Sequence, residues 1–195
     1  MINAEFHEID KRKMAISDEE LSARLSRVCS HKDPEIFRVY EALMREIEPR
    51  YAVTRVKISV SDEEIDLGFC KTKSVQLSKR LRGCSEAFLL IVTLGGAVDR
   101  LIARLMKTSK AEAFIFDAVA SALVEAAVDV ANEQITSGLN TTVRFSPGYS
   151  DFSIECQAPL LEYLGAPTYL GVTLTDSLLM LPQKTVSCVI GIREE

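Results

Sequence analysis

The residues best suited to chemistry are grouped at Arg144-Phe-Ser-Pro-Gly-Tyr149. Pro147 and Gly148 occupy the favoured central positions of a type II turn, which reverses the backbone and brings Arg144 and Tyr149 near one another. A guanidinium fork held by such a turn suits bidentate binding of a carboxylate, and the Tyr adds a flat apolar face with a polar tip. The same pattern also fits a surface Arg beside an ordinary turn Tyr. Upstream, Asp117, Ser121, Glu125 and Asp129 recur every four residues and make one narrow polar stripe along an otherwise apolar helix. The stripe reads either as a solvated edge or as a line of carboxylates facing a groove, where one of them meets a cationic ligand group.

Other chemistries have little support. The five cysteines, at 29, 70, 84, 156 and 188, are odd in number and never closer than fourteen positions, so they form neither a Cys-x-x-Cys pair nor a disulfide framework and read as small core residues. Cys29 and His31 make one Cys-x-His pair, whereas a structural zinc site needs two, and His7 is the only other histidine. No metal is expected. The same scarcity of His leaves Ser-His-Asp and Cys-His nucleophiles without a base. Lys71, Lys73, Lys79, Arg80 and Arg82 lie in a stretch without acids, from Leu67 to Ser85, which is either a solvated basic face or a docking surface for an acidic partner. Leu94-Gly95-Gly96 lacks the third Gly and the Lys-Ser/Thr ending of a phosphate loop, so Gly95 is expected where backbone passes close to something.

These residues need elements to carry them. Ser17 and Glu20 have capping-box spacing ahead of Leu21, Leu25, Val28 and Cys29, which predicts a helix to about residue 30. Asp33 and Pro34 open a second helix, with Asp33 as acceptor for its free amides and Ile36, Phe37, Tyr40, Leu43, Met44 and Ile47 along one face until Pro49. Thr54, Val56, Ile58 and Val60 then alternate with Arg55, Lys57 and Ser59, the period of a strand with one wet face, and this favours an antiparallel sheet. A short helix over 74–82, a strand over 87–94 and a helix over 97–106 follow. Ser109 and Glu112 cap the dominant helix, which runs without Gly or Pro to about 137. Short strands are expected near 143–145, 172–175 and 185–192, with a brief helix near 159–164. The pattern is one α+β domain over 1–195, a twisted antiparallel sheet packed against helices.

Composition sets the limits. There are 28 acidic and 23 basic side chains, a net charge of −5, against the profile of a general nucleic-acid binder. The longest uncharged stretch, Tyr163 to Thr175, is 13 residues and contains Gly and Pro, too short for a membrane span. Early charges at Glu5, Glu8, Asp10, Lys11 and Arg12 do not fit a secretory signal, so a cytoplasmic protein is expected.

Several segments, in order, resemble the activation domain of cobalamin-dependent methionine synthase. They are Ser74-x-x-Leu77-x-x-x-Leu81-x-Gly83-Cys84, Thr93-Leu94-Gly95, Leu123-Val124-Glu125-Ala126, Arg144-Phe-Ser-Pro-Gly148-Tyr149, Gly171-Val-Thr-Leu-Thr175-Asp-Ser177 and the final Ser-Cys-Val-Ile-Gly-Ile at 187–192. The match is good over about 65–192 and loose over the N-terminal helices. The resemblance implies a fold that binds S-adenosylmethionine and offers its methyl group to a cobalamin on a partner after the cofactor has been oxidised. It implies that Arg144 clamps the methionine carboxylate and that Glu125 meets a cationic or hydroxyl group of the ligand. Phe145, Gly148 and Tyr149 complete the site, with Tyr149 toward the corrin. No catalytic residue or metal ligand is assigned.

A chain of 195 residues has no room for homocysteine, folate and cobalamin modules as well, so a companion subunit is expected. Its partners would be a cobalamin-binding methionine synthase or another corrinoid protein, and a flavodoxin-like or other low-potential electron donor. The alternatives are a non-catalytic docking or regulatory subunit and a reactivation subunit of another corrinoid methyltransferase. Corrinoid carriers of that class use an Asp-x-His-x-x-Gly loop, and neither His7 nor His31 stands in one, so cobalamin is expected only through the partner.

A single cooperative unit should resist limited proteolysis as a whole. Two stable halves in a protease time course would contradict the one-domain reading.

Overall fold

The computed structural model describes residues 4–61 and 64–193. In chain order its elements are β1 (Glu5–Glu8), α1 (Asp18–Leu25), α2 (Pro34–Glu46), β2 (Arg50–Lys57), β3 (Ser59–Val60), β4 (Ile65–Asp66), β5 (Lys71–Thr72), α3 (Val75–Leu81), β6 (Cys84–Thr93), α4 (Ala97–Thr108), α5 (Lys110–Thr136), α6 (Gln157–Tyr163), α7 (Ala166–Tyr169), β7 (Thr173–Leu174), β8 (Met180–Leu181) and β9 (Thr185–Arg193). Four of the strands form an antiparallel sheet in the order β1-β2-β6-β9, as the alternating pattern predicts. The expected α+β class is therefore present.

Both faces of this sheet are covered. Because side chains alternate along a strand, the pairs Tyr51↔Val92, Val53↔Leu90 and Leu90↔Cys188 point to one face, where α1, α2, α4 and α5 pack. Ala52, Leu89, Ile91 and Val189 point to the other face, against Leu77 and Leu81 of α3, Phe145, Phe152 and the α6–α7 segment. The expected wet face is confined to the far end of β2. Arg55, Lys57 and Ser59 are exposed as the alternation requires, but β2 begins at Arg50 and is buried on both sides over 51–54.

Helix α5 is the centre of the first layer, with thirteen buried residues that include Val119, Leu123, Val128 and Ala131. Ser109 caps it by accepting from the Glu112 amide at 3.3 Å. The near-complete apolarity of α5 in sequence places Phe114 in the core with Val119, Leu123 and Val130, but Phe114 is 56% exposed, since it stands on the outer side of the first turns. Helix α1 is shorter than expected: it ends at Leu25, where Ser26 turns left-handed at φ 52°, and Val28 is 98% exposed. Asp33 precedes α2 but makes no side-chain cap; its carboxylate accepts from the Ser30 amide instead. Gly95 has φ 84°, and a Cβ there would stand 3.6 Å from Glu48, an ordinary contact. Backbone conformation, not close approach, explains that glycine.

Among the described residues no helix is long and apolar enough to cross a membrane. All five cysteines are free, four of them buried. His31 is turned to Asp18 at 2.6 Å while Cys29 is buried against Ser22, so the Cys-x-His pair does not converge.

The outer edge of β9 is closed by the chain that follows α5. Thr141 pairs with Ile192 and Phe145 with Val189, and the Thr142 amide donates to the Gly191 carbonyl at 2.9 Å. Gly191 permits this approach. A Cβ at that position would lie 2.8 Å from both Cys84 Sγ and Leu81 Cδ2, and 3.1 Å from Thr142 Cγ2. Gly191→Ala should therefore destabilise the protein by about 1–3 kcal/mol through overpacking, read as a lower denaturant midpoint. An unchanged midpoint would show that the neighbours yield.

Candidate functional site

The turn at 146–149 forms as the sequence predicts. The Tyr149 amide donates to the Ser146 carbonyl at 3.1 Å, and Gly148 takes φ 84° at the position that demands it. A Cβ on Gly148 would also strike Ile154 Cδ1 at 2.8 Å. The turn is thus fixed by backbone and by packing. Phe145, just before it, is buried and tied to β9 by two backbone hydrogen bonds with Val189, at 3.0 and 2.9 Å. Its ring meets Tyr149 edge-on at 5.6 Å, and Tyr149 is 65% exposed.

Arg144 lies where β9, the turn and α5 meet. Its two terminal nitrogens turn back to the polar stripe, Nη2 to Glu125 at 2.8 Å and Nη1 to Asp129 at 2.5 Å. Burial works against its charge, but the Asp129 hydrogen bond and the two nearby carboxylates outweigh it and hold the pKa above the ordinary value. The two pairs are unequal. Glu125 and Arg144 are each about two-thirds covered, whereas the Asp129 side chain is 69% exposed, so water weakens the second pair although its distance is shorter.

The upper half of the stripe has its own cation. Lys184, buried just ahead of β9, donates to Asp117 at 2.7 Å and to Ser121 at 2.9 Å. The stripe is therefore neither a bare solvated edge nor an open row of carboxylates. It is a seam in which α5 meets two cations beside β9.

In front of Arg144 opens a cleft of about 630 Å³ lined by Arg80, Asn132, Thr141, Arg144, Phe145 and Tyr149, among others. That volume suits a drug-sized ligand. Of the expected site residues, Arg144, Phe145 and Tyr149 line it. Glu125 does not; it stands behind Arg144. Gly148 shapes the turn without facing the cleft. Sequence reasoning missed Arg80 as a site residue. It stood in the basic stretch, and its guanidinium carbon lies 4.8 Å over the Phe145 ring. The sequence signal was its place on α3, three residues after the buried Leu77 and so at the flank of the packed side, while Lys79 points outward.

The basic stretch does not act as one face. Lys71 pairs with Glu64 at 2.9 Å, Lys73, Lys79 and Arg82 border a separate cleft, and Arg80 turns to Phe145.

Both walls of the cleft are tied together. Asp151, two residues after Tyr149, accepts from Ser74 Oγ at 2.5 Å and from the Val75 amide at 2.7 Å, while Ser74 Oγ accepts from the Leu77 amide at 2.9 Å. The loop that carries Tyr149 thus caps the helix that carries Arg80. The Ser74 hydrogen bond is the largest influence on the Asp151 carboxyl, and with the Val75 and Gln76 amides it outweighs desolvation and holds the group below its ordinary range. A carboxyl lowered on folding stabilises above its unfolded pKa, and that contribution disappears as pH falls through the folded value. Wild type should therefore lose more stability than Asp151→Asn between about pH 5 and about pH 2, by denaturant titration at each pH. Parallel curves would rule out the charged cap.

A scan against family models finds no match, and neither does a comparison with curated proteins. Among solved structures, the chain is similar to the one described as the MetH reactivation domain bound to AdoHcy, with a TM-score of 0.68 at 16% identity, over 97% of this chain and 78% of that one. The expected likeness to a methionine synthase activation domain therefore holds at the level of the fold: an antiparallel sheet and helices arranged as in that reactivation domain.

Proposed function

We propose that the chain binds S-adenosylmethionine in the Arg80–Tyr149 cleft and serves as the reactivation subunit of a cobalamin-dependent methionine synthase. The observation that supports this most is the cleft itself, in which cationic and aromatic groups are held by the Arg144-to-Tyr149 turn in a fold like one that binds AdoHcy. The residues present suit the ligand. The half-buried Arg80 offers positive charge for an amino-acid carboxylate, Arg144 holds the wall beside it, Asn132 and Thr141 offer neutral hydrogen-bonding groups, and Phe145 and Tyr149 offer ring surface. When bound, S-adenosylmethionine supplies a sulfonium-activated methyl group, to be passed to cobalamin on a partner. Tyr149, exposed at the mouth, is the residue we place toward that partner, and a low-potential protein is the expected electron source.

One observation favours the second reading, a docking or regulatory subunit with no ligand. Both arms of Arg144 are already taken by carboxylates of α5. Calorimetric titration with AdoHcy separates the two. The first reading predicts saturable binding that Arg144→Ala weakens at least about tenfold, because a charge-assisted wall of the cleft is lost. Arg144→Lys should recover little, since an ammonium cannot bond both carboxylates as the fork does. No heat of binding with the wild type would favour the second reading. Free cobalamin, mixed with the chain alone, should keep its absorption spectrum; a spectral shift would contradict the partner's role as carrier.

A further inference from the structure

Resting on that binding reading, we propose that Arg80, outside the Arg144–Tyr149 motif, receives the carboxylate at the amino-acid end of the ligand. Arg144 is poorly placed for the task. It already bonds Glu125 and Asp129, so the three side chains together carry a net negative charge. A ligand carboxylate entering there would be a third anion around one cation, and it would have to displace an existing partner.

Arg80 has the opposite balance. It lines the same cleft and is half-buried, and among the described residues no carboxylate forms an ion pair with it. A guanidinium held over a ring by cation–π attraction spends none of its N–H donors on a protein acceptor, so they stay available to a carboxylate. Here the ring is Phe145, whose backbone is bonded on both sides to Val189 of β9. The other end of the Arg80 side chain rests on α3, whose first turn is held by Ser74 and Asp151. The donor is thus positioned from both ends before a ligand arrives, which lowers the ordering cost of binding. Arg144 then acts as a positioning residue that fastens the 141–145 segment to α5.

The experiment is calorimetric titration of wild type, Arg80→Met and Arg80→Lys with two ligands, AdoHcy and 5′-methylthioadenosine, which keeps the adenosyl thioether and lacks the amino acid. Arg80→Met keeps an unbranched apolar chain over Phe145, and its thermal midpoint should stay near that of wild type. It should bind AdoHcy at least about tenfold more weakly and methylthioadenosine as wild type does. Arg80→Lys should recover part of the AdoHcy affinity through its charge. If Arg80→Met binds both ligands like wild type, or loses both alike, Arg80 does not receive the carboxylate, and the binding reading stands without it. If wild type binds AdoHcy not at all, the binding reading falls and the assignment falls with it.

Discussion

An outermost strand must do something with its free amides and carbonyls, and the way β9 meets that requirement shapes the rest of the site. Helix α5 ends at Thr136, and the chain returns along β9 through alternating bonds at 141–145. Among the described residues, four backbone hydrogen bonds join 140–145 to β9, and all of them lie along one edge. The Arg144 side chain adds the link across to α5, through Glu125 and Asp129, and so joins the returning segment to the central helix. Lys184 does the same for the start of β9 through Asp117 and Ser121. A four-residue polar period on α5 thus serves as the attachment line for an edge strand and its cover.

The cleft is a consequence of that closure. Once Phe145 is fixed against Val189, its ring becomes the floor on which Arg80 lies, and the turn at 146–149 projects Tyr149 above it. The loop then continues to Asp151, which caps α3 and so fixes the helix that supplies Arg80. The chain closes a ring, from Phe145 through Arg80 and α3 to Asp151 and back along the turn. Gly191 is one of two places where this arrangement meets a steric limit, since Cys84, Leu81 and Thr142 all converge on it, and Gly148 against Ile154 is the other. The charges matter in the same way. Arg144 is spent on holding the seam, and Arg80 is left as the cation that faces the cleft without an ion-paired acid among the described residues.

Much of this was legible in the sequence because it depends on local rules. The capping serines at 17 and 109, the alternation from Thr54 to Val60, the length of α5 and the Pro147-Gly148 turn each follow from spacing alone. What local rules could not show is where distant side chains meet. The stripe on α5 was visible, but its partners Lys184 and Arg144 come from beyond the helix, so the choice between wet edge and ligand row missed a third outcome. Edge strand β1 was missed because Glu5-Phe-His-Glu8 is polar and exposed, with no buried face to give a period. Arg80 was hidden for a similar reason. One cation among five carried no mark of its own until Phe145 was placed beneath it.

The central claim is that the cleft between Arg80 and Tyr149 holds an adenosyl amino acid. A crystal structure of the chain soaked with AdoHcy tests it most directly. The account predicts ligand density in that cleft, with the carboxylate within hydrogen-bonding distance of the Arg80 guanidinium and Arg144 still bonded to Glu125. Density elsewhere, such as the apolar cleft between α4 and α5 beside Phe114, or an empty Arg80–Tyr149 cleft at saturating ligand, would contradict it.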